Sequence, residues 1–509
     1  MSLANFFSRT SVAVSQILQG YDETIFRSQL ENFWIDVTFD DSVATCPEAA
    51  TTVELTVNLL SRLYSKVCLS PSGEKARAKA ESLSQLALSI NPEIEIASNI
   101  ETPSFCICIG DTLPAFKCPI VFLGSDGWIA KISTKEPVGS QSTDNPFGAA
   151  AAACFGAANA FRFLFAQQLS KADLDSHFQV SLLDWDVSNS APPNPLLGKA
   201  SIGSAHLVGL GAVGNAALWV LSRTRTIEGT LHLVDKEIVT LSNLQRYVLT
   251  TQKDENAPKV ALGERFLRQS GIRPVMHQNS WGEYLAARND WNLERVAVAV
   301  DSAEVRRDIQ AALPRSIINA WTQPGDLGVS RHAFLGDQAC LMCLYLPEHI
   351  TRHESELVSE AIGISDSHAE IRSMLYLDTP LSREFLIRVA EAKGITYELL
   401  AQFEGRPLRA LYVEGVCGGA VLGLSHGLKR QNMEVPMNFQ SALAGVMLAA
   451  ELVIDSANIR PQPMPATTKI DLLKPIGTDL SLPAPKHASG KCICQDQDYI
   501  SAYREKYKM

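Results

Sequence analysis

Residues His206-Leu207-Val208 form a short apolar run that leads into Gly209-Leu210-Gly211-Ala212-Val213-Gly214. A helix-forming stretch then returns to Leu231-His232-Leu233-Val234 and ends on Asp235. Strand, glycine turn, helix and second strand at this spacing predict a βαβ unit, which is the strongest constraint the chain puts on its own fold. Such a turn delivers an anion to a helix N-terminus, and a carboxylate about 20 residues past the last glycine stands beside a ribose. Gly209, Gly211, Gly214 and Asp235 are therefore expected to bind an adenine nucleotide. The glycines alone fit a nicotinamide dehydrogenase equally well. The polar set that follows, Asn243-Leu244-Gln245-Arg246, Lys259 and Asp301, separates the two, since hydride transfer has no use for it and an ATP-consuming adenylase does.

Asn243 and Arg246 lie three apart, so in a helical stretch both would reach toward a triphosphate. Lys259 follows Pro258 at the start of a helical pattern, where an ammonium has the wrong sign for the helix dipole unless an anion is present. Asp301 closes the apolar run Val296-Ala297-Val298-Ala299-Val300. An unpaired carboxylate at a buried strand end is costly, and a magnesium ion bridging phosphates is its natural partner.

The region beyond residue 196 alternates strands and helices at the spacing of a doubly wound, mostly parallel α/β sheet. Gly209, Asp235, Asp301 and Asn319 all fall at carboxyl ends of strands, where such sheets bind ligands. Residues 348–434 break the pattern into a polar, helical insertion. Residues 1–190 carry expected helices around Gln29-Trp34, Val53-Val67 and Glu74-Leu88. Strand-like runs follow at Phe105-Ile109 and Pro119-Leu123, then an alanine-rich helix from Ala149 to Phe165. The helix at Ser441–Ile454 echoes that alanine-rich helix, which predicts two related halves about a pseudo-two-fold axis. The proline-rich stretch Ser188–Pro195 joins them.

A net charge of -10 without a basic stripe argues against nucleic acid as a partner. Neither a leader nor an uninterrupted apolar run of about 18 residues is evident, so no membrane association and a cytoplasmic location are expected. Eleven cysteines without regular spacing speak for reduced thiols. Cys340-x-x-Cys343 offers half of a tetrahedral zinc site and Cys492-x-Cys494 the other half, which would pin the C-terminal tail to the core. Cys417 lies in Glu414-Gly415-Val416-Cys417-Gly418-Gly419, where glycines leave a sulfur open to an acyl donor.

Taken together, the glycine turn, Asp235, the Asn-Leu-Gln-Arg motif, Lys259, Asp301 and the Cys340/Cys343 pair make residues 198–345 resemble the adenylation domain of the ThiF/MoeB and ubiquitin-activating enzyme superfamily. The layout is most similar to activating enzymes of bacterial ubiquitination-like systems, some of them antiviral. The resemblance implies an inactive adenylation-like domain at 1–190 and an active adenylation domain at 196–347. A catalytic-cysteine insertion at 348–434 and the rest of the adenylation domain with its zinc tail at 435–509 would follow. It implies ATP and Mg2+ as cofactors beside Zn2+, with ribose on Asp235, phosphates on Arg246 and Lys259, magnesium on Asp301 and a thioester on Cys417. Arg27 is the candidate for an arginine crossing from the first half to the γ-phosphate.

The partners implied are a ubiquitin-like protein and a conjugating enzyme, with a pseudo-dimer inside one chain that leaves room for a homodimer. One departure stands out: Tyr247 follows the motif arginine where relatives commonly have Gln or His. The alternative within the same resemblance is an adenylyltransferase for a sulfur carrier or a peptide, without a thioester step. A dehydrogenase and a non-enzymatic scaffold are more distant readings.

Overall fold

The computed structural model describes residues 3–114, 116–288, 290–346, 354–364, 368–412 and 434–509. The first sheet is built from β1 (Ile35–Asp40), β2 (Lys66–Ser72), β3 (Glu95–Ala97), β4 (Phe105–Ile109), β5 (Ile120–Asp126), β6 (Ile129–Ser133) and β7 (His177–Ser181). Its spatial order is β3-β2-β1-β4-β5-β6-β7, parallel as far as β5 and antiparallel beyond it.

The second sheet uses β8 (Ala200–Val208), β9 (Ile227–Val234), β10 (Ile272–His277), β11 (Arg295–Val298), β12 (Ser316–Thr322), β13 (Leu327–Ala333), β14 (Thr467–Ile470) and β15 (Ser481–Leu482). Its order, β10-β9-β8-β11-β12-β13-β14-β15, repeats the first sheet position by position, with the same change from parallel to antiparallel pairing. β15 is an added edge strand.

Two apolar helices fill the space between the sheets. Phe147–Leu164 packs on β4, β5 and β6, and Asn438–Ala457 packs on β8, β11, β12 and β13. They touch each other, with the rings of Phe161 and Phe439 5.6 Å apart. By length and composition both could cross a membrane, yet 89% of each window is buried inside the structure. Alanine and glycine on every face explain this, because small side chains let sheet and helix backbones close in from all sides.

Buried ion pairs tie the layer together. Arg162 meets Asp175 at 2.5 Å, and Glu451 holds Arg331 at 2.5 Å and Arg460 at 2.6 Å. Arg460 also donates to the Leu183 carbonyl of the first half.

Two expected helices differ. The first runs Glu23–Asn32 and stops before Trp34. The second runs Pro47–Ser61, started by the proline at its first turn, and Val67 lies in β2 instead. Lys66–Ser72 carries a β-branched and apolar core that pairs with β1, and that pairing overrides the helical periodicity read across Leu60–Val67.

Residues Pro347–Glu434 form a separate compact unit, and Met1–Leu346 with Val435–Met509 form the other. The smaller unit contains helices Glu354–Ile362, His368–Leu377 and Arg383–Lys393 around a core that includes Val358, Ile371, Phe385, Leu386 and Phe403.

Candidate nucleotide site and cysteine cluster

β8 ends at Val208 and the chain turns on Gly209 into the helix Ala212–Leu221. Gly209 has φ +89°, and a Cβ there would lie 2.7 Å from the Ala299 carbonyl oxygen. A Cβ on Gly214 would lie 2.0 Å from the Gly209 carbonyl oxygen. Only glycine fits either position, so the turn is pressed against β11 by its sequence. The helix has no side-chain cap at Gly211, which leaves its positive end to an incoming anion.

Around that end the structure collects most of the expected residues. Asp235, just past β9, accepts from the Leu210 amide at 2.6 Å and the Glu237 amide at 2.8 Å. Burial raises its carboxyl above the ordinary value while Lys259 pulls against it. Lys259 begins the helix Lys259–Leu267 and is 4% exposed. Its ammonium donates to Glu237 and, at 3.0 Å, to the Tyr247 hydroxyl. Burial alone would lower the Lys259 pKa, but Tyr247, Asp235 and Glu237 together hold it above the usual lysine value. Arg246 is depressed by burial, against the pull of Tyr247 and Asp301, so the Asp301 carboxylate stands within electrostatic reach of that guanidinium.

The structure corrects two expectations. Asp301 is exposed, because β11 ends at Val298. The burial cost that pointed to magnesium does not arise, and the Asp301 carboxylate instead stands within electrostatic reach of Arg246 and Arg306. Asn243 does not share a helical face with Arg246. It sits in a 3-10 turn, Leu241–Gln245, where its side-chain oxygen accepts from the Thr240 amide at 3.0 Å and closes a capping box. Arg27, the candidate crossing arginine, is half-exposed, paired with Glu23 at 3.4 Å and lying 4.5 Å over the Phe7 ring. The helix that packs on the Leu241–Gln245 turn is Phe7–Ser15.

The loop 244–250 carrying Arg246 and Tyr247 is clamped from the first half by residues that sequence reasoning does not single out. Arg62 donates to the Leu244 carbonyl and, at 2.8 Å, to the Thr250 carbonyl, and Asn58 Nδ2 donates to the Val248 carbonyl at 2.9 Å. From the second half, Asn215 Oδ1 accepts from the Leu249 amide at 2.7 Å. The one signal in the sequence is a fully charged residue on the apolar side of the Pro47–Ser61 helix end.

Cys340, Cys343, Cys492 and Cys494 are buried and their sulfurs lie within 4.8 Å of one another. The closest pairs are Cys340–Cys492 and Cys343–Cys494, both at 3.5 Å, with Cys340–Cys343 at 3.8 Å. Four thiolates on a zinc ion with bonds of about 2.3 Å stand about 3.8 Å apart, so this donor set fits one. The one-residue spacing of the second pair is accommodated by the 3-10 turn Ile493–Gln495. The tail helix Gln497–Tyr507 that follows is fastened by Tyr503 to the Arg315 carbonyl at 3.1 Å and Lys506 to the Ala312 carbonyl at 2.9 Å. Cys417 lies outside the described residues.

Comparison with known proteins bears on this geometry. The profile described as ThiF family matches residues 196–492, more than half of the chain. The chain belongs to the ThiF family. A second profile, described as Prokaryotic E2 family C, matches residues 38–166, within the first sheet and its helices. The protein y4jF of Sinorhizobium fredii, itself uncharacterized, is 45% identical over 507 residues, covering 100% of this chain and 98% of that one.

The sulfur carrier protein ThiS adenylyltransferase of Escherichia coli is 28% identical over 234 residues, 42% of this chain and 85% of that enzyme. Among solved structures, E. coli MccB aligns at 14% identity and TM-score 0.36, over 57% of this chain and 64% of MccB, just under two thirds of its length. At that level of overlap the ThiF assignment rests on the sequence match and on the sheet and site described above. The glycine-turn half accordingly has the make-up of a ThiF-family adenylyltransferase.

Proposed function

We propose that this ThiF-family chain adenylates the C-terminal glycine of a ubiquitin-like protein, holds it as a thioester on Cys417 and passes it to a conjugating enzyme. The observation that carries the adenylation step is the convergence of the uncapped helix at Gly211 with Asp235, Lys259, Arg246 and Asp301 beyond the carboxyl ends of β8, β9 and β11. ATP lies with its phosphates at the helix end, near Lys259 and Arg246, and its ribose at Asp235. A carboxylate oxygen of the glycine attacks the α-phosphorus, the bond to the bridging oxygen breaks and pyrophosphate leaves. Lys259 and Arg246 lower the barrier by meeting charge with charge already in place. Magnesium, with Asp301 as its candidate ligand, supplies further neutralisation of the phosphates when bound. The Cys417 thiolate then attacks the acyl carbon and AMP departs.

Cys340, Cys343, Cys492 and Cys494 would hold a zinc ion that fixes the tail helix to the core and supplies no chemistry. The first half is, in this reading, the inactive partner of a pseudo-dimer inside one chain. The reading also places the protein among cytoplasmic enzymes of bacterial ubiquitination-like operons, including antiviral ones. A profile match carrying the E2 name supports that setting, although all cysteines of the first half are buried except the half-buried Cys118. The similarity to a sulfur carrier adenylyltransferase favours a second reading, adenylation without a thioester.

Intact mass of the chain with ATP, magnesium and a ubiquitin-like protein ending in glycine, without reductant, tests the proposal. A reductant-sensitive adduct that disappears in Cys417→Ala supports it. Pyrophosphate release with no adduct supports the second reading, and an adduct that survives the substitution moves the thioester to another cysteine.

A further inference from the structure

Lys259 has two partners of unlike character. Tyr247 is 4% exposed, and its hydroxyl lies 3.0 Å from the ammonium and 3.6 Å from where a Cβ on Gly211 would stand. The phenol therefore sits between the lysine and the phosphate turn. It cannot easily leave, because Arg62, Asn58 and Asn215 hold the backbone on both sides of it. Glu237 is the opposite case. Its side chain is 63% exposed and pairs with Lys259, while its backbone is tied by the amide to Asp235 Oδ1 and by the carbonyl to the Lys259 amide at 3.1 Å. A carboxylate on an exposed, rotatable stem, paired with a buried ammonium at a helix start, is an anion of the kind a phosphate oxygen can replace.

We propose that Tyr247 is a positioning residue that keeps the Lys259 ammonium aimed at the glycine turn, and that Glu237 is an exchangeable anion which ATP must displace. This rests on the adenylation reading, since it needs a triphosphate at Gly211. It also gives the tyrosine that follows Arg246 a role, because its hydroxyl supplies the fixed hydrogen bond while the second partner is traded for substrate. The two side chains then act on ATP binding in opposite directions. Removing the Glu237 charge takes away both a competitor for Lys259 and a repulsion on the incoming phosphates. Removing the Tyr247 hydroxyl releases the ammonium from its aim.

The experiment is direct titration of the full-length protein with ATP and magnesium, no acceptor present, for wild type, Glu237→Gln and Tyr247→Phe, with thermal midpoints alongside. The expected result is a Kd for ATP lowered about three- to tenfold by Glu237→Gln and raised about three- to tenfold by Tyr247→Phe, the range one hydrogen bond or ion pair commands. A structural role for either residue would move both constants upward together with the thermal midpoints downward. If Tyr247→Phe does not fold, Glu237→Gln at its exposed position decides the matter. A Glu237→Gln constant equal to or weaker than wild type overturns the inference. A wild-type protein that binds no ATP overturns the adenylation reading with it, whereas ATP binding indifferent to both substitutions overturns this inference alone.

Discussion

The two sheets share strand order and pairing, yet they treat the end of their central strand in opposite ways. After β8 the chain turns on glycines and the next helix has no side-chain cap. β1 itself ends on Asp40, and Asp41 follows. Asp40 accepts from the Ser42 amide at 2.9 Å and the Asp111 amide at 2.7 Å, and Asp41 accepts from the Ala76 amide at 2.8 Å, inside the first turn of the helix Glu74–Ile90. The Pro47–Ser61 helix is capped as well, by the Cys46 sulfur. In the first half Asp40 and Asp41 thus take up amides at this end of the sheet, whereas the helix end at Gly211 carries no side-chain cap. Under the proposed function, a shared frame would carry a site in one half because amide donors at its glycine turn are left for a ligand, while the other half spends the corresponding donors on its own stability.

The largest expected effect breaks the open half. Gly214→Val puts a side chain where a Cβ already lies 2.0 Å from the Gly209 carbonyl oxygen, and ATP binding should fall below detection in a titration. Next, Lys259→Ala should cut ATP–pyrophosphate exchange about 100-fold, the scale of losing one charged donor at a developing anion.

Zinc removal comes third. Cys494→Ser, or a chelator, should release the tail helix and lower the thermal midpoint by several degrees, with metal analysis reading one zinc per wild-type chain. Among the described residues the first half has no such cluster, so its unfolding should be affected only through the shared helical layer.

Acid sharpens the contrast further. His206, His232 and His277 stack across β8, β9 and β10, facing Tyr284, Arg288, Arg273 and Asp290. Burial, and then the neighbouring histidines and Arg288, push His206 down to about 3 and His232 to about 4. The unfolded chain takes up these protons near pH 6.5 and the folded one does not, so stability should drop as pH falls from about 6.5 toward 4. Thermal midpoints across that range should fall less steeply in His206→Gln. The smallest effect is Asp41→Asn in the closed half, a loss of about 1 kcal/mol in denaturant unfolding with the ATP constant unchanged.

Local features of the second half are legible in the sequence because spacing alone determines them. The glycine turn, Asp235 at the end of β9, Lys259 at a helix start and the two cysteine pairs need only neighbours within a few turns of chain. Residues whose meaning depends on what arrives from far away are not legible. Asn58 and Arg62 read as parts of one more helix until the loop 244–250 is laid against them, and Tyr247 reads as a departure until Lys259 reaches its hydroxyl. Asp301 misleads for the same reason, since an apolar run of five residues does not reveal that its strand stops at Val298. In the first half the strand at Lys66–Ser72 is hidden inside a helical periodicity, and the carboxylates at 40 and 41 give no sign that they stand at the counterpart of a nucleotide turn.

The central claim is that one half binds nucleotide and its twin does not. Calorimetric titration of the full-length chain with ATP and magnesium tests it most directly, run beside Gly214→Val and Asp41→Asn. One ATP per chain, lost in the first variant and kept in the second, is the predicted result. Two ATP per chain, or binding that survives Gly214→Val, would contradict the account.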